Sequence, residues 1–446
     1  MKNCDQLVHA KWIITAESNQ QPLENHALAI QNGKILEILP SSKARLEYSA
    51  KSQSEYNSHA IMPGFVNTHT HLPMNWFRGF ADDLALMNWL NNYIWPAERQ
   101  WVSYEFVKDA SLFAMAEMIR GGTTCFNDMY FFPEPMGEAT AIAHMRGHIS
   151  IHIIDFPTAW GTGPDDYFAK GLEFLDQYKN NEYVTVTMAP HAIYTVSEKY
   201  LLRAKEIAEK NNLQINMHIQ ETADEVNQSI AQTGLRPLKR LQNIGLVSPR
   251  LIAVHMTQLN DEDYEIIQTQ KPNIVHCPES NMKLASGTCQ VEKLRKMGIN
   301  VALGTDGAAS NNDLDMIGEM RTAALLAKLA TSNPEALKAY EAIQMATING
   351  ARALGIDKIT GSLLAGKSAD FIAVDLSEIE TQPLYHPESQ IVYAASRNQV
   401  TDVWIMGKQV MKNRVLLTLD EKALKEKAKL WKEKISGHQD VLSSTS

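Results

Sequence analysis

The sequence predicts an α/β protein, a (β/α)8 TIM barrel with a small β-sandwich domain built from both termini. Three observations lead there. Between residues 63 and 360, eight short apolar, β-branched runs alternate with helical patterns. Both ends are β-rich and carry tight-turn signals. A chain of 446 residues, 44% apolar and 21% charged, is also too long for one ordinary compact core.

From the N-terminus, "LVHAKWIITA" and "HALAIQNGKILEILP" read as strands, and Asn-Gly within "QNGK" is a hairpin signal. The same texture returns in 361–376 (GSLLAGKSADFIAVDL), 390–396 (QIVYAAS) and 400–417 (VTDVWIMGKQVMKNRVLL), with "MGKQ" as a second tight turn. Residues 1–62 and 361–419 are therefore expected to form one composite β-sandwich domain. The barrel strands are expected at 64–71, 123–129, 148–155, 184–190, 213–219, 251–256, 273–278 and 299–306, within a barrel domain of 63–360. Eight such units favour closure over an open doubly wound sheet. The charge pairs of "DEKALKEKAKLWKEKI" predict a terminal helix in the last unit, 420–446.

A formal net charge of −9 with no basic cluster argues against nucleic acid or an anionic membrane as partner. The four cysteines, Cys4, Cys125, Cys277 and Cys289, contain no C-x-x-C pair and read as reduced thiols. "MKNCDQLVHAKWIITAE" is no signal peptide, and no apolar run approaches the ~20 residues of a membrane span. The expected location is the cytoplasm.

Barrel enzymes keep their chemistry at the C-terminal ends of the strands, and the polar residues fall there. The first run ends in His69 and His71, two residues apart and so on one face of a strand. The fourth leads to His191, the fifth ends in His218 with Glu221 three residues on, the sixth carries His255, and the eighth ends at Asp306. His69, His71, His218 and Asp306 would share one rim around one space. Three imidazoles and a carboxylate suit one divalent metal ion, with Zn²⁺ and Fe²⁺ both compatible. Such an ion lowers the pKa of a water to about 7, and Glu221, at the start of the following helix, is placed to manage protons. His144, His148, His152 and His276 read as structural. Ser280, Asn281 and Lys283 suit either a substrate-capping loop or a helix cap.

"PGFVNTHTHLPM", "MAPHAIYTVS", "HIQET", "HCPESNMKLASG", "LGTDGAASNN" and "GSLLAGKSADFIAVDL", taken in order, resemble the amidohydrolase superfamily. Within it they are most similar to the 5′-methylthioadenosine/S-adenosylhomocysteine deaminases and their chlorohydrolase relatives, over nearly the whole chain. The resemblance implies mononuclear, metal-dependent hydrolytic deamination of a small-molecule nucleoside, by a homo-oligomer. His69, His71, His218 and Asp306 match the metal ligands, Zn²⁺ being the expected ion. Asp306 would also take a proton from the attacking water, Glu221 would protonate the purine ring nitrogen, and His255 would hydrogen-bond that water. Glu98 and His191 match nucleoside-contacting positions, with Glu98 suited to the ribose hydroxyls. Two-metal relatives carry a modified lysine at the fourth strand end, where this chain has "TMAPHAIYT" and no lysine. An arginine expected after the third strand to meet a homocysteine carboxylate is missing from "DFPTAWGTGPDDY", which favours the methylthio tail. "PMNWFRGF" and "MNWLNNYIWPAE" supply candidate lining for that tail. The alternatives are deamination or dechlorination of another aminated heterocycle, such as guanine or a triazine, or a non-catalytic barrel scaffold.

Overall fold

The computed structural model describes residues 1–17 and 21–443, with side chains to residue 436. All eight anticipated barrel runs are strands: Phe65–Thr70, Thr123–Asp128, Arg146–Ile153, Val184–Pro190, Ile215–Ile219, Leu251–His255, Asn273–His276 and Val301–Leu303. They pair in sequence order, each parallel to the next. The ring is drawn together where the Asp306 amide donates to the His69 carbonyl at 3.0 Å, beside a parallel bridge between Thr70 and Asp306. Every residue of the first two strands is buried, as expected of parallel strands covered on both faces. Local signals set the helices between them. Ser103 caps Tyr104–Arg120 by accepting from the Phe106 amide, and Thr222 caps Ala223–Thr233 by accepting from that of Glu225.

The termini form one continuous eight-stranded mixed sheet. Lys2–Ile13, Leu23–Gln31, Lys34–Pro40 and Tyr48–Pro63 join Phe371–Asp375, Val400–Ile405, Lys408–Lys412 and Val415–Leu416. Its ends curl towards each other. Leu28 and Ile30 share an apolar cluster with Phe371 and Trp404, whose rings stack at 4.4 Å. The two predicted hairpins meet at their tips, Asn32-Gly33 (φ 49° and 72°) and Met406-Gly407 (φ 52° and 74°). A Cβ on Gly407 would lie 2.6 Å from the Cα of Gly33, so glycine serves both the positive φ and the close approach.

Two segments differ from expectation. Residues 390–396, expected to be β-rich, lie mostly in the helix Pro387–Tyr393, where Pro387 takes the first turn. Its Ile391 and Val392 are buried, and Arg321 Nε of a barrel helix donates to the Val392 carbonyl at 3.1 Å. An unanticipated helix, Ser41–Glu47, precedes the long strand Tyr48–Pro63. The terminal helix spans Glu421–Ser443 and docks on Tyr104–Arg120, with Trp431 edge-on to Phe106 and donating to Asp109 Oδ2 at 3.2 Å. Residues 444–446 of the expected tail lie outside the described residues.

Arg146, at the foot of the third barrel strand, ties barrel to sheet. Its Nε donates to Asp370 Oδ2 at 2.7 Å and its Nη2 to Ser368 Oγ at 2.8 Å, and Asp370 is fully buried in that pair. Arg146→Met leaves a buried, uncompensated carboxylate. The expected loss is about 3–5 kcal/mol, read as a lowered denaturant midpoint.

Candidate metal centre and its cavity

The four candidate ligands meet. One donor atom from each of His69, His71, His218 and Asp306 falls in a group whose members all lie within 4.8 Å of one another. His69 Nε2 is 3.1 Å from His218 Nε2 and 3.5 Å from Asp306 Oδ1, and His71 Nε2 is 3.1 Å from the same oxygen.

The outer ring atoms are already engaged. His71 Nδ1 donates to the Met129 carbonyl at 2.6 Å, and His218 Nδ1 to the His191 carbonyl at 3.0 Å. Each therefore turns Nε2 inward as the atom free to ligate. His69 Nδ1 lies 3.4 Å from the amide of Asn216, whose Oδ1 has no other partner among the described residues. With that amide turned by half a revolution, Oδ1 accepts from Nδ1–H and the third Nε2 is likewise free to ligate. Asp306 is held by Ser280 Oγ at 2.7 Å and Ser310 Oγ at 3.2 Å on Oδ2, and by the Gly307 amide at 2.9 Å on Oδ1.

The electrostatics suit a cation. Burial holds His69 down at about 4 and His218 well below its usual value, so both are neutral donors. Burial also opposes charge on His71, but the hydrogen bond and charge of Asp306 outweigh it and raise His71 to about 9. Burial opposes ionisation of Asp306, yet His69 and His71 keep its carboxyl well below the usual range. The centre thus retains a carboxylate and recruits a proton to balance it, the charge that a bound ion supplies. Three imidazoles and one carboxylate fit a divalent ion of the zinc type.

Backbone strain concentrates here. Gln220, His255, Met256 and Asp306 have φ of 52°, 76°, 51° and 62°. Such left-handed conformations cost non-glycine residues about 1–3 kcal/mol each and are kept where they aim functional groups.

Above the cluster opens a cavity of ≈ 650 Å³. His71, Glu98, His191, His218, Glu221, His255 and Asp306 line it, so every candidate residue but the deeper His69 reaches it. Glu221 precedes the helix rather than opening it. Glu225 carries the capping load, accepting from the amides of Gln220 at 2.9 Å and Glu221 at 2.8 Å, and the Glu221 carboxyl is left facing the cavity. Burial, then the charge of Asp306, raises Glu221 to about 8, against the opposing hydrogen bond of Ser286 and charge of His71. His255 Nε2 stands 3.7 Å from Glu221 Oε2, its Nδ1 engaged by Asn281 at 3.0 Å, and burial lowers it to about 4. His191 is likewise lowered to about 3 by burial and then by His71, its Nδ1 beside Thr195 Oγ1 at 2.8 Å. Glu98 is buried, accepts from Tyr130 Oη at 2.6 Å, and is raised by burial to about 7.

Several roles were not evident from the sequence. Ser280 and Asn281 neither cap a helix nor cover the cavity, but hold Asp306 and His255 from behind. Lys283 pairs with Asp82 at 2.6 Å and bridges to Asn312. His152, which reads as structural in sequence, lines the cavity with Nδ1 unpartnered among the described residues. Met74, Leu86, Trp89, Leu90 and Trp95 line its apolar side, whereas Phe77 is fully buried in the core.

A parallel barrel whose C-terminal rim gathers this donor set beside a buried acid defines a hydrolase barrel. Residues 60–410 match the amidohydrolase family. A 5-methylthioadenosine/S-adenosylhomocysteine deaminase of Saccharophagus degradans is 46% identical over 435 residues, 98% of each chain. A 5′-deoxyadenosine deaminase of Methanococcoides burtonii is 39% identical, over 95% of this chain and 96% of its own. The crystal structure of an adenosine deaminase from Xanthomonas campestris with bound zinc superposes with a TM-score of 0.96 at 46% identity, covering 98% and 99% of the two chains. The chain belongs to the amidohydrolase family. Among the described residues no helix is long and apolar enough to cross a membrane.

Proposed function

We propose that this chain is a zinc-dependent aminohydrolase that converts 5′-methylthioadenosine to the inosine derivative and ammonia, accepting related adenosines less well. The observation that carries it is the donor cluster opening into the same cavity as Glu221, His255 and Glu98. The relatives named as deaminases of 5-methylthioadenosine, S-adenosylhomocysteine and 5′-deoxyadenosine support the substrate class.

His69, His71, His218 and Asp306 would hold the ion. Bound there, it acts as a Lewis acid that makes a water available for attack near neutral pH. Asp306 accepts the proton that the attacking water sheds. Neutral His255 orients that water through Nε2. Glu221, protonated at neutral pH, delivers a proton to the ring nitrogen beside the attacked carbon. The carbon–nitrogen bond then breaks as the amine takes up a proton and leaves as ammonia. The amine's proton is the one Asp306 took from the water, and the second water hydrogen passes from the new C–OH to Glu221 as the carbonyl forms, so both carboxyl groups return to their starting states.

Glu98 accepts from the ribose hydroxyls, and His191 hydrogen-bonds the nucleoside. Beyond Glu98 a smaller cavity of ≈ 360 Å³ is walled by Trp95, Val102, Phe131, Phe156 and Pro157, with exposed Arg99 the only cation on its lining. Its apolar walls favour the methylthio tail over a zwitterionic one. The same reading puts a homo-oligomer in the cytoplasm, where its four buried, unpaired cysteines stay reduced, and acting on neither nucleic acid nor membrane.

Ammonia release from 5′-methylthioadenosine, S-adenosylhomocysteine, 5′-deoxyadenosine, adenosine, guanine and a triazine tests the assignment. The highest kcat/KM is expected for 5′-methylthioadenosine, and no turnover of any adenosine derivative would overturn it. Glu98→Gln should raise KM about 10- to 100-fold with kcat nearly unchanged, because a carboxylate accepting two hydroxyls becomes a half-donor amide. Wild-type KM should rise as pH falls through about 7, where Glu98 takes up its proton, and the variant should lose that dependence.

A further inference from the structure

A second cavity, of ≈ 780 Å³, opens between the helix Tyr104–Arg120, the C-terminal strands and the helix Glu421–Ser443. Arg78, Arg120, Arg397 and Arg414 line it, with Lys425 beside them. In a chain of net charge −9 this is a local excess of positive charge. Glu117 and Glu421 lie on its wall, and Asp313, 3.8 Å from Arg397, and Asp315 also act on that arginine, so five cations face four carboxylates.

The arginines keep donors in reserve. Arg78 Nε is buried without a partner among the described residues, while its Nη2 is paired to Glu117. The hydrogen bonds of Arg120 and of Arg397 all leave from Nη1, to the Arg414 carbonyl and Glu421 in one case and to Glu117 in the other. Arg414 is fixed by three backbone carbonyls, those of Arg120, Arg397 and Val400. Burial, then its neighbour Arg120, lowers Arg414 to about 10, whereas at Arg397 burial is outweighed by the charges of Asp313, Asp315 and Glu117, which raise it, so among the described residues Arg414 is the arginine without a carboxylate of its own.

We propose that this cavity is a second binding site, separate from the deaminase centre, for a phosphate-type oxyanion, either free phosphate or the phosphate of a nucleotide. Planar guanidinium forks with uncommitted N–H groups match tetrahedral oxyanions in geometry as well as charge. A nucleotide has somewhere to put its base. An adjoining groove carries Trp76, Phe80 and Phe113, shares Arg78 and Phe113 with the arginine-lined cavity, and leaves Trp76 Nε1 buried without a partner among the described residues. Two chain segments lead from the metal centre to this site. Arg78 follows the turn Leu72–Phe77 that begins directly after His71, and Glu117 accepts from the Leu314 amide, at 3.4 Å, in the loop beyond Asp306.

Calorimetric titration of the metal-loaded, full-length protein decides it. Sodium phosphate is the probe in one arm and uridine monophosphate in the other, with uridine as control and chloride holding ionic strength constant. Saturable binding is expected, weakened about tenfold or more by Arg120→Met and severalfold by the surface variant Lys425→Met, with kcat for deamination kept within about twofold. Equal affinity for phosphate and uridine monophosphate identifies the free ion. Tighter uridine monophosphate with silent uridine identifies a nucleotide. No saturable binding in either arm, or binding that both variants retain in full, overturns the proposal, since phosphate held at the metal centre would be indifferent to Arg120 and Lys425.

Discussion

Glu221→Gln is expected to lower kcat by about a hundredfold to ten-thousandfold while leaving the metal content unchanged. The substitution keeps the shape of the side chain and removes its titrating proton. Its surroundings tolerate the change. Ser286 Oγ reaches Oε1 at 3.3 Å, and the backbone of residue 221 is held independently by Glu225 on its amide and by Thr257 Oγ1 on its carbonyl at 2.6 Å. The carboxyl stands outside the converging donor group of His69, His71, His218 and Asp306 that the proposal assigns to the ion. Its value of about 8 keeps it protonated at neutral pH, the state an acid must start from. A dication at the neighbouring cluster favours its ionised form, so the alkaline limb of kcat/KM should fall at or below pH 8. Metal analysis by mass spectrometry, thermal denaturation and ammonia release together check this. Activity within about tenfold of wild type, with metal in place, removes Glu221 from the proton path.

How much of this could be read in the sequence depends on the range of the interaction. The barrel strands were legible because parallel strands buried on both faces appear as unbroken apolar runs, and because His69, His71, His218 and Asp306 end such runs. The Asn-Gly and Met-Gly turns were legible because left-handed φ leaves few residue choices. Residues 390–396 misled because Ile391, Val392 and Tyr393 favour strands by composition, while the helix is set by Pro387 and by packing against Arg321, some 70 residues away in sequence. The long strand Tyr48–Pro63 gave little signal because much of its outer half is exposed and polar. Glu98 reads locally as a solvated helix residue, and only Tyr130 and the buried cavity reveal otherwise. The support given by Ser280 to Asp306 and by Asn281 to His255, and the gathering of four distant arginines, are likewise contacts between segments that no local pattern encodes.

Asp306→Asn is expected to weaken metal binding by more than about a hundredfold and to abolish deamination with it. In the proposed mechanism Asp306 has two separable duties, and the amide fails at both. As a ligand it is the one anionic donor among three neutral imidazoles, so its loss removes the charge that offsets desolvation of a dication. As a proton acceptor it needs a carboxylate, which an amide cannot supply. The fold should survive, because the backbone of residue 306 is anchored apart from its side chain: its amide donates to the His69 carbonyl, and its carbonyl accepts from Thr70 Oγ1 and Thr305 Oγ1, both at 3.0 Å. Without the carboxylate, His71 also loses the partner that holds its proton, so the metal-free variant should carry a neutral His71 at pH 7 where the metal-free wild type carries imidazolium. NMR titration of the ring protons reads that change directly, and it is independent of turnover. A variant that still binds one zinc per chain at wild-type affinity would show that three histidines alone suffice to hold the ion, and would leave Asp306 only its role toward the attacking water.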